Sequence, residues 1–225
     1  MKIYVVGAGK LARAILSSDL SFPGCQIIEW EKAPQTSKEK AIVIHAGSGR
    51  QLKECLEFCK QTKSTFIELS TGQDTANTEA GFPIIICHNT SILLLKTLAV
   101  FKSFGGHFDG YKISITESHQ ATKTTDPGTA YALANSLKFP VNKIVSIRDP
   151  EVQLNELGIP KEFLDRHAYH KIVIEDGTDQ LTIETKVLGH NSYVQGVKRI
   201  IEAVIKHPLE NRLYTVVELI EKNMV

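Results

Sequence analysis

The chain has 225 residues, with 26 lysines and arginines against 25 aspartates and glutamates, for a formal net charge of +1. Charged residues make up 23% and hydrophobic residues 42%, proportions that fit one large globular domain or two small ones. Near-neutral charge speaks against a nucleic-acid partner, and no apolar run approaches the roughly 18–20 residues that span a bilayer. Met1 to Val6 runs straight into glycines with no cleavage site, so no secretory leader is expected. A soluble, cytoplasmic protein without membrane partners is the expectation.

The first 90 residues alternate strand and helix. Strands are predicted at Lys2–Val6, 25–30, Ala41–His45, 65–69 and 82–87, with helices at 11–18 and 51–61. Most of these strands stop at small or polar residues: Gly7-Ala8-Gly9, Ala46-Gly47-Ser48-Gly49, Ser70-Thr71-Gly72 and His88-Asn89-Thr90. That alternation is the mark of a parallel sheet, whose ligands collect at the carboxyl ends of its strands. Cys55 and Cys59 share one helical face with Leu52 and Leu56 and read as buried structural thiols. With Cys25 and Cys87 isolated, neither a metal site nor a disulfide framework is expected.

After residue 91 the pattern changes. An apolar helix is predicted over 91–104, ending at Gly105-Gly106. Residues 111–118 then alternate, with Tyr111, Ile113, Ile115 and Glu117 on one face. A helix at 129–137, a strand at 143–148 and a long loop at 149–168 follow. Strands at 170–175 and Gln180–Leu188 are joined by Asp176-Gly177, a hairpin turn. From Tyr193 onward the pattern is helical, broken at His207-Pro208. The fold class expected is α/β: a Rossmann-type parallel-sheet domain from 1–90 and 191–225, and an α+β domain from 91–190 with a mixed or antiparallel sheet.

Two segments carry chemistry. Gly7-Ala8-Gly9-Lys10-Leu11-Ala12 lies between a strand and a helix, the context of a dinucleotide fingerprint. Gly7 permits the tight turn, Gly9 lets the backbone approach a pyrophosphate, and a small residue at 12 lets helix and strand pack closely. Glu29 ends the next strand, where a carboxylate accepts hydrogen bonds from the adenosine ribose. It disfavours a 2′-phosphate and so favours NADH over NADPH, while Lys32 is close enough to meet such a phosphate instead. Further on, His119 and Lys123 sit one turn apart at a strand end, and Pro127-Gly128-Thr129 opens a helix. An imidazole, a cation and a helix N-terminus around one spot suit an anionic substrate that is protonated during reaction. The plainer alternative is a polar strand end and a solvated loop charge.

Residues 117–130, Glu-Ser-His-Gln-Ala-Thr-Lys-Thr-Thr-Asp-Pro-Gly-Thr-Ala, resemble the signature of the 4-hydroxy-tetrahydrodipicolinate reductase (dihydrodipicolinate reductase) family of lysine biosynthesis. Ser70-Thr71-Gly72 resembles that family's Thr-Thr-Gly loop, and His88-Asn89-Thr90-Ser91 its exit from the nucleotide domain. The segments 189–196 and 212–215 are similar to its return stretch and its C-terminal strip. The resemblance implies a divergent and shortened member. It implies His119 as catalytic acid/base, Lys123 as proton donor, and Gly128 and Thr129 as holders of a substrate carboxylate. Gln120 stands where the family has a second histidine, His190 where it has an arginine, and one residue is missing before Gly128. The resemblance also implies NADH or NADPH as cofactor, a small cyclic imine dicarboxylate as substrate and a homotetramer, with Ile172, Ile174, Leu181, Ile183 and Val187 as candidate oligomer surface. Reduction of a different cyclic imino acid, and a non-catalytic nicotinamide redox sensor, stay open as alternatives. Of the other histidines, His45 and His88 face the cofactor from strand ends, His107, His167 and His207 read as surface residues, and His170 is ambiguous.

Overall fold

The computed structural model describes residues 1–32, 38–78 and 81–225, apart from the side chains of Lys32, Asp74 and Ala76. The phosphate contact raised for Lys32 therefore lies outside the described residues. The chain divides into two compact units, Met1–Ile92 with Tyr193–Val225, and Leu93–Ser192.

The first unit is built on six parallel strands: β1 (Lys2–Val6), β2 (Gln26–Glu29), β3 (Ala41–His45), β4 (Thr65–Glu68), β5 (Ile84–Ile86) and β10 (Leu213–Thr215). Their order is β10-β5-β4-β3-β1-β2. The central strands β3 and β4 are buried on both faces, which is why their sequences run apolar instead of alternating. Its helices among the described residues are α1 (Lys10–Leu16), α2 (Leu52–Thr62), most of α6 (Asn191–Lys206) and α7 (Val216–Glu221). Cys55 and Cys59 of α2, flanked by Leu52 and Leu56, pack into a cluster with Tyr4, Val43, Phe66 and Ile84. In α6 the buried Val194, Val197, Ile200 and Ile201 form one helical stripe. Each such side chain stabilises by about 1.5–3 kcal/mol when fully buried. Gly196 lets that helix lie directly against the Thr90 carbonyl, where a Cβ finds no room. Thr90 Oγ1 in turn donates to the Tyr193 carbonyl at 2.9 Å.

One element corrects the helical expectation for the C-terminal stretch. Leu213–Thr215 is a strand, paired in parallel with β5 at the sheet edge. Thr215 then caps α7 by accepting from Glu218 N at 3.1 Å. Arg212 lies 3.6 Å over the Tyr214 ring and bonds Glu218 at 2.6 Å, fixing the turn between strand and helix.

The second unit holds a mixed sheet of β6 (Lys112–His119), β7 (Val145–Ile147), β8 (His167–Glu175) and β9 (Gln180–Leu188), in the order β7-β6-β8-β9. β6, β8 and β9 are antiparallel, and β7 runs parallel to β6. The helices are α3 (Ile92–Phe104), α4 (Gly128–Ser136) and α5 (Pro150–Asn155). The fold class is thus the one expected, a Rossmann-type parallel sheet and a second, mixed sheet.

Register assigns the faces of that sheet. Ile113, Ile115, Ile172, Ile174 and Ile183 share one face and pack with Phe101 of α3 and with Leu133, Ala134 and Leu137 of α4. The aliphatic residues proposed from sequence as an oligomer surface mostly serve this unit's own core. The other face carries Lys171, Val173, Glu184 and Lys186. The expected loop at 149–168 contains α5, capped by Asp149 accepting from Glu151 N at 2.7 Å and Val152 N at 3.2 Å. β8 begins at His167, earlier than predicted, and a short 3-10 turn, Val141–Lys143, precedes β7.

Candidate functional site

In the first unit, the turn after β1 meets the turn after β3. Gly7 has φ +114°, a conformation reserved for glycine, and a Cβ there would stand 2.6 Å from the Ala46 carbonyl and 2.7 Å from Gly47 Cα. Two backbone loops therefore touch across a residue without a side chain. Above them lies a cavity of about 630 Å³ lined by Gly7, Ala8, Gly9, Ala46, Gly47 and Ser48, with Glu31, His45 and Arg50 contributing charge or polarity. A neighbouring hollow of about 440 Å³ brings Lys10 and Leu11 together with Ser70 and Thr71. Gly9 precedes α1, a helix of only 7 residues, with no side-chain cap.

Other expected cofactor residues stand elsewhere. Glu29 ends β2, half-buried, and the carboxylate among the lining of the larger cavity is that of Glu31 on the short turn that follows. Gly72 has φ +77° in an open turn. His88 is exposed; Asn89 Oδ1 accepts from Ser91 N at 2.8 Å, and Thr90 is buried against α6.

In the second unit, the end of β6 forms a polar cluster on the helix-packed face of its sheet. Glu117 is fully buried and accepts two charge-assisted bonds, from His119 Nδ1 at 2.6 Å and from Arg148 at 2.6 Å. Burial pushes its pKa up, but the bonds from His119 and Arg148 outweigh it and bring the carboxyl down to about 2. Glu117 is thus a fixed anion that orients the His119 ring and accepts a hydrogen bond from its Nδ1–H, leaving Nε2 as the nitrogen available for proton transfer. Register places His170 of β8 opposite Glu117 and Thr185 of β9 opposite His170. The His119 and His170 rings meet edge to face at 5.9 Å. Burial, then the nearby His119, lowers the His170 pKa to about 4, against a weaker opposing pull from Glu117.

The backbone around His119 is held as firmly. Gln153 of α5 donates from Nε2 to the His119 carbonyl at 2.8 Å and to Ser118 Oγ at 3.0 Å. Ser118 Oγ also lies 3.0 Å from His167 Nε2, so His167 is a buried bracing residue and not the surface residue its polarity implied. The chain then turns: Lys123 N donates to the Gln120 carbonyl, and Lys123 Nζ donates to Thr125 Oγ1 at 2.7 Å. Gly128 opens α4 behind Pro127, exposed and with nothing within 4 Å of a Cβ position. His190 follows β9 past Gly189, which has φ +69° against the Phe163 ring. Among the described residues no three His, Cys, Asp or Glu side chains group as a metal site.

Sequence reasoning missed Arg148 and Gln153 and left His170 ambiguous. Arg148 and Gln153 reach the cluster from β7 and α5 by pairings that no local pattern announces. His170 had a signal: it shares the period-two face of Ile172 and Ile174.

Comparison with known proteins gives the following likenesses. Residues 93–220 match the family model described as "Dihydrodipicolinate reductase, C-terminus". The chain is 32% identical over 134 residues to probable 4-hydroxy-tetrahydrodipicolinate reductase 1, chloroplastic, of Oryza sativa subsp. japonica, covering 55% of this chain and 39% of that protein. It is 31% identical over 137 residues to 4-hydroxy-tetrahydrodipicolinate reductase 2, chloroplastic, of Arabidopsis thaliana, covering 55% and 38%. The chain thus spans under two fifths of the length of these curated relatives. Among solved structures, a dipicolinate-bound dihydrodipicolinate reductase from Paenisporosarcina sp. TG-14 has a TM-score of 0.66 over 97% of this chain and 98% of its own, at 16% identity. At that identity the likeness is one of fold.

Proposed function

Because the chain belongs to the dihydrodipicolinate reductase family, we propose that it is an NAD(P)H-dependent reductase of a small cyclic imine carrying carboxylates, of the 4-hydroxy-tetrahydrodipicolinate type. The observation that carries this reading is the buried Glu117 carboxylate with His119 Nδ1 at 2.6 Å. It fixes one tautomer and one ring orientation, as an acid–base histidine requires.

The first unit's cradle fits a dinucleotide: Gly7 and Gly47 leave backbone bare where a diphosphate approaches, and the adjoining cavity has the room. Gly7, Ala8, Gly9, Lys10, Leu11, Ser70 and Thr71 would hold it, with Glu29 or Glu31 toward the ribose. The bound nicotinamide supplies hydride. This chain's own residues bind and protonate the substrate. Lys123 and the opening of α4 at Gly128 and Thr129 attract its carboxylates, with Gln120 and His190 as further polar contacts. His119, oriented by Glu117, moves the proton.

Gln120 in place of a second histidine favours a second reading within the same class, a cyclic imino acid with one carboxylate fewer. The Glu31 carboxylate in the lining of the larger cavity supports NADH over NADPH. We also infer a homotetramer, formed through the face of the second sheet that carries Lys171, Val173, Glu184 and Lys186. Four free thiols fit a reducing compartment such as the cytoplasm. No described helix is long and apolar enough to cross a membrane.

The test is oxidation of NADH and of NADPH with the product of dihydrodipicolinate synthase generated in the same cuvette. Turnover with either cofactor is expected. Tight NADH binding without turnover would exclude this substrate and leave the mono-carboxylate reading. Light scattering on the eluting protein decides the oligomer, with four chains expected.

A further inference from the structure

The nucleotide unit buries a second ionisable pair, which the proposed proton chemistry does not use. His45 ends β3 and Glu68 ends β4, and the two are register partners in the parallel sheet. Both side chains are fully buried, and His45 Nδ1 lies 2.7 Å from Glu68 Oε1. Glu68 is saturated: Oε1 also accepts from Ser70 N at 2.9 Å, and Oε2 accepts from Thr75 Oγ1 at 2.8 Å. Burial raises its pKa, yet the bonds from His45, Ser70 and Thr75 lower it overall, so it is an anion beneath the imidazole. Phe66 stacks on the ring at 5.8 Å and fixes its plane.

The other ring nitrogen is unsatisfied. His45 Nε2 is buried and has no hydrogen-bond partner among the described residues. Native interiors rarely leave such an atom unpaired without a ligand or water to meet it. Its direction is set by Gly47: a Cβ there would stand 3.2 Å from His45 Nε2 and 3.5 Å from Gly7 Cα. Glycine at 47 therefore lets the Nε2 edge of the buried imidazole pack directly behind the Gly7 turn, in the wall of the cavity that Gly7, Gly9 and His45 line together. The charged side chains facing that cavity are Glu31 and Arg50, and Ser70 Oγ stands 3.4 Å from His45 Nδ1 while donating to the Gly47 carbonyl.

We propose that His45 is a diphosphate-recognition residue, donating from Nε2–H past the bare Gly47 Cα to a phosphate oxygen of a dinucleotide seated on the Gly7–Gly9 turn. Glu68 accepts from Nδ1, and an Nε2–H opposite it is held in a fixed direction by the same bond. That N–H is the donor an anionic oxygen needs, and charge-assisted bonds of this kind are the strong ones. The inference rests on the dinucleotide reading and adds to it a side-chain contact where a bare backbone turn supplies only N–H groups.

ADP-ribose is the probe, since it carries the adenosine and diphosphate and lacks the nicotinamide. Imidazole ¹⁵N spectra of the histidine-labelled protein are expected to show His45 Nε2 protonated and shifted when ADP-ribose is added. His45→Gln is expected to weaken ADP-ribose by about 10- to 100-fold, and Glu68→Gln to weaken it in the same direction. The wild-type spectrum needs no variant to fold. If ADP-ribose binds while the His45 resonances stay unmoved, or His45→Gln binds as tightly as wild type, the inference is overturned and the dinucleotide reading stands. If neither ADP-ribose nor NADH nor NADPH binds the wild-type chain, the dinucleotide reading falls and takes this inference with it.

Discussion

Glu117 on β6 and His170 on β8 stand opposite one another across the strands, the first a fixed anion and the second a neutral imidazole. His119 lies between their influences, bonded to the carboxylate and edge-on to the second ring. β6 supplies Glu117 and His119 and β8 supplies His170, at spacings dictated by the sheet, with Arg148 and Gln153 bracing them from outside these strands.

His119→Gln and Lys123→Ala are each expected to lower turnover by roughly 10²–10⁴-fold, the range for positioned acid–base groups. NADH affinity in either variant should stay near wild type, since both lie in the second unit. Steady-state rates beside fluorescence titration of NADH separate the two effects. Near-normal turnover in both variants would place the chemistry elsewhere.

Acid should destabilise the fold in two stages. His170 has its pKa lowered from 6.5 to about 4 when folded, so between those values the unfolded chain takes up a proton that the folded one refuses. Stability present above about pH 6.5 is therefore lost as pH falls toward 4. Glu117, lowered from 4.5 to about 2, adds a second loss between those values by the same logic. Each group contributes on the order of 3 kcal/mol at full effect. Urea melts across this pH series should show both stages, and His170→Asn should shrink the upper one alone, the remainder coming from His167, which burial also lowers.

Gly7→Ala and Gly24→Ala make a matched pair. Both positions have positive φ, +114° and +68°, but only at Gly7 does the added Cβ strike backbone, 2.6 Å from the Ala46 carbonyl, whereas Gly24 has nothing within 4 Å. Gly24→Ala is expected to cost about 1 kcal/mol through conformation alone. Gly7→Ala must push the two turns apart, and NADH affinity should drop at least about tenfold, the equivalent of 1.4 kcal/mol. Equal NADH affinity in the two variants would contradict the cradle assignment.

The thiols should divide sharply in reactivity. Burial pushes Cys55 and Cys87 up to about 12 and Cys59 well above its ordinary value, whereas Cys25 is half-exposed. Thiolate is the reactive form, so iodoacetamide should label only Cys25 in the native protein. Peptide mass mapping reads the result, and labelling at Cys55 before unfolding would show that α2 opens.

What the sequence discloses and what it hides follow from how local each signal is. β9 and its hairpin turn are readable to the residue, because alternation and Asp176-Gly177 lie within one short stretch. The apolar runs of β3 and β4 announce a buried parallel sheet. β10 is hidden because three residues have no period, and its identity comes from lying beside β5. The early start of β8 is masked by His167, a polar residue that reads as loop until its ring is seen hydrogen-bonded to Ser118 of the neighbouring strand. At the candidate site, Glu117-x-His119 is legible as a spacing, whereas Arg148 and Gln153 arrive from elements brought close only by folding.

The placement of β10 also bears on the order in which this chain takes shape at the ribosome. The first unit lacks its edge strand and the stripe of α6 until residues 193–225 have emerged, whereas the second unit is one continuous segment. Nascent β5 therefore waits with an open edge while the inserted unit completes itself, and unpaired edges invite strand addition from other chains. Holding the ends at Ile92 and Tyr193 together early, through an already folded insert, shortens the search that β10 must make for its partner.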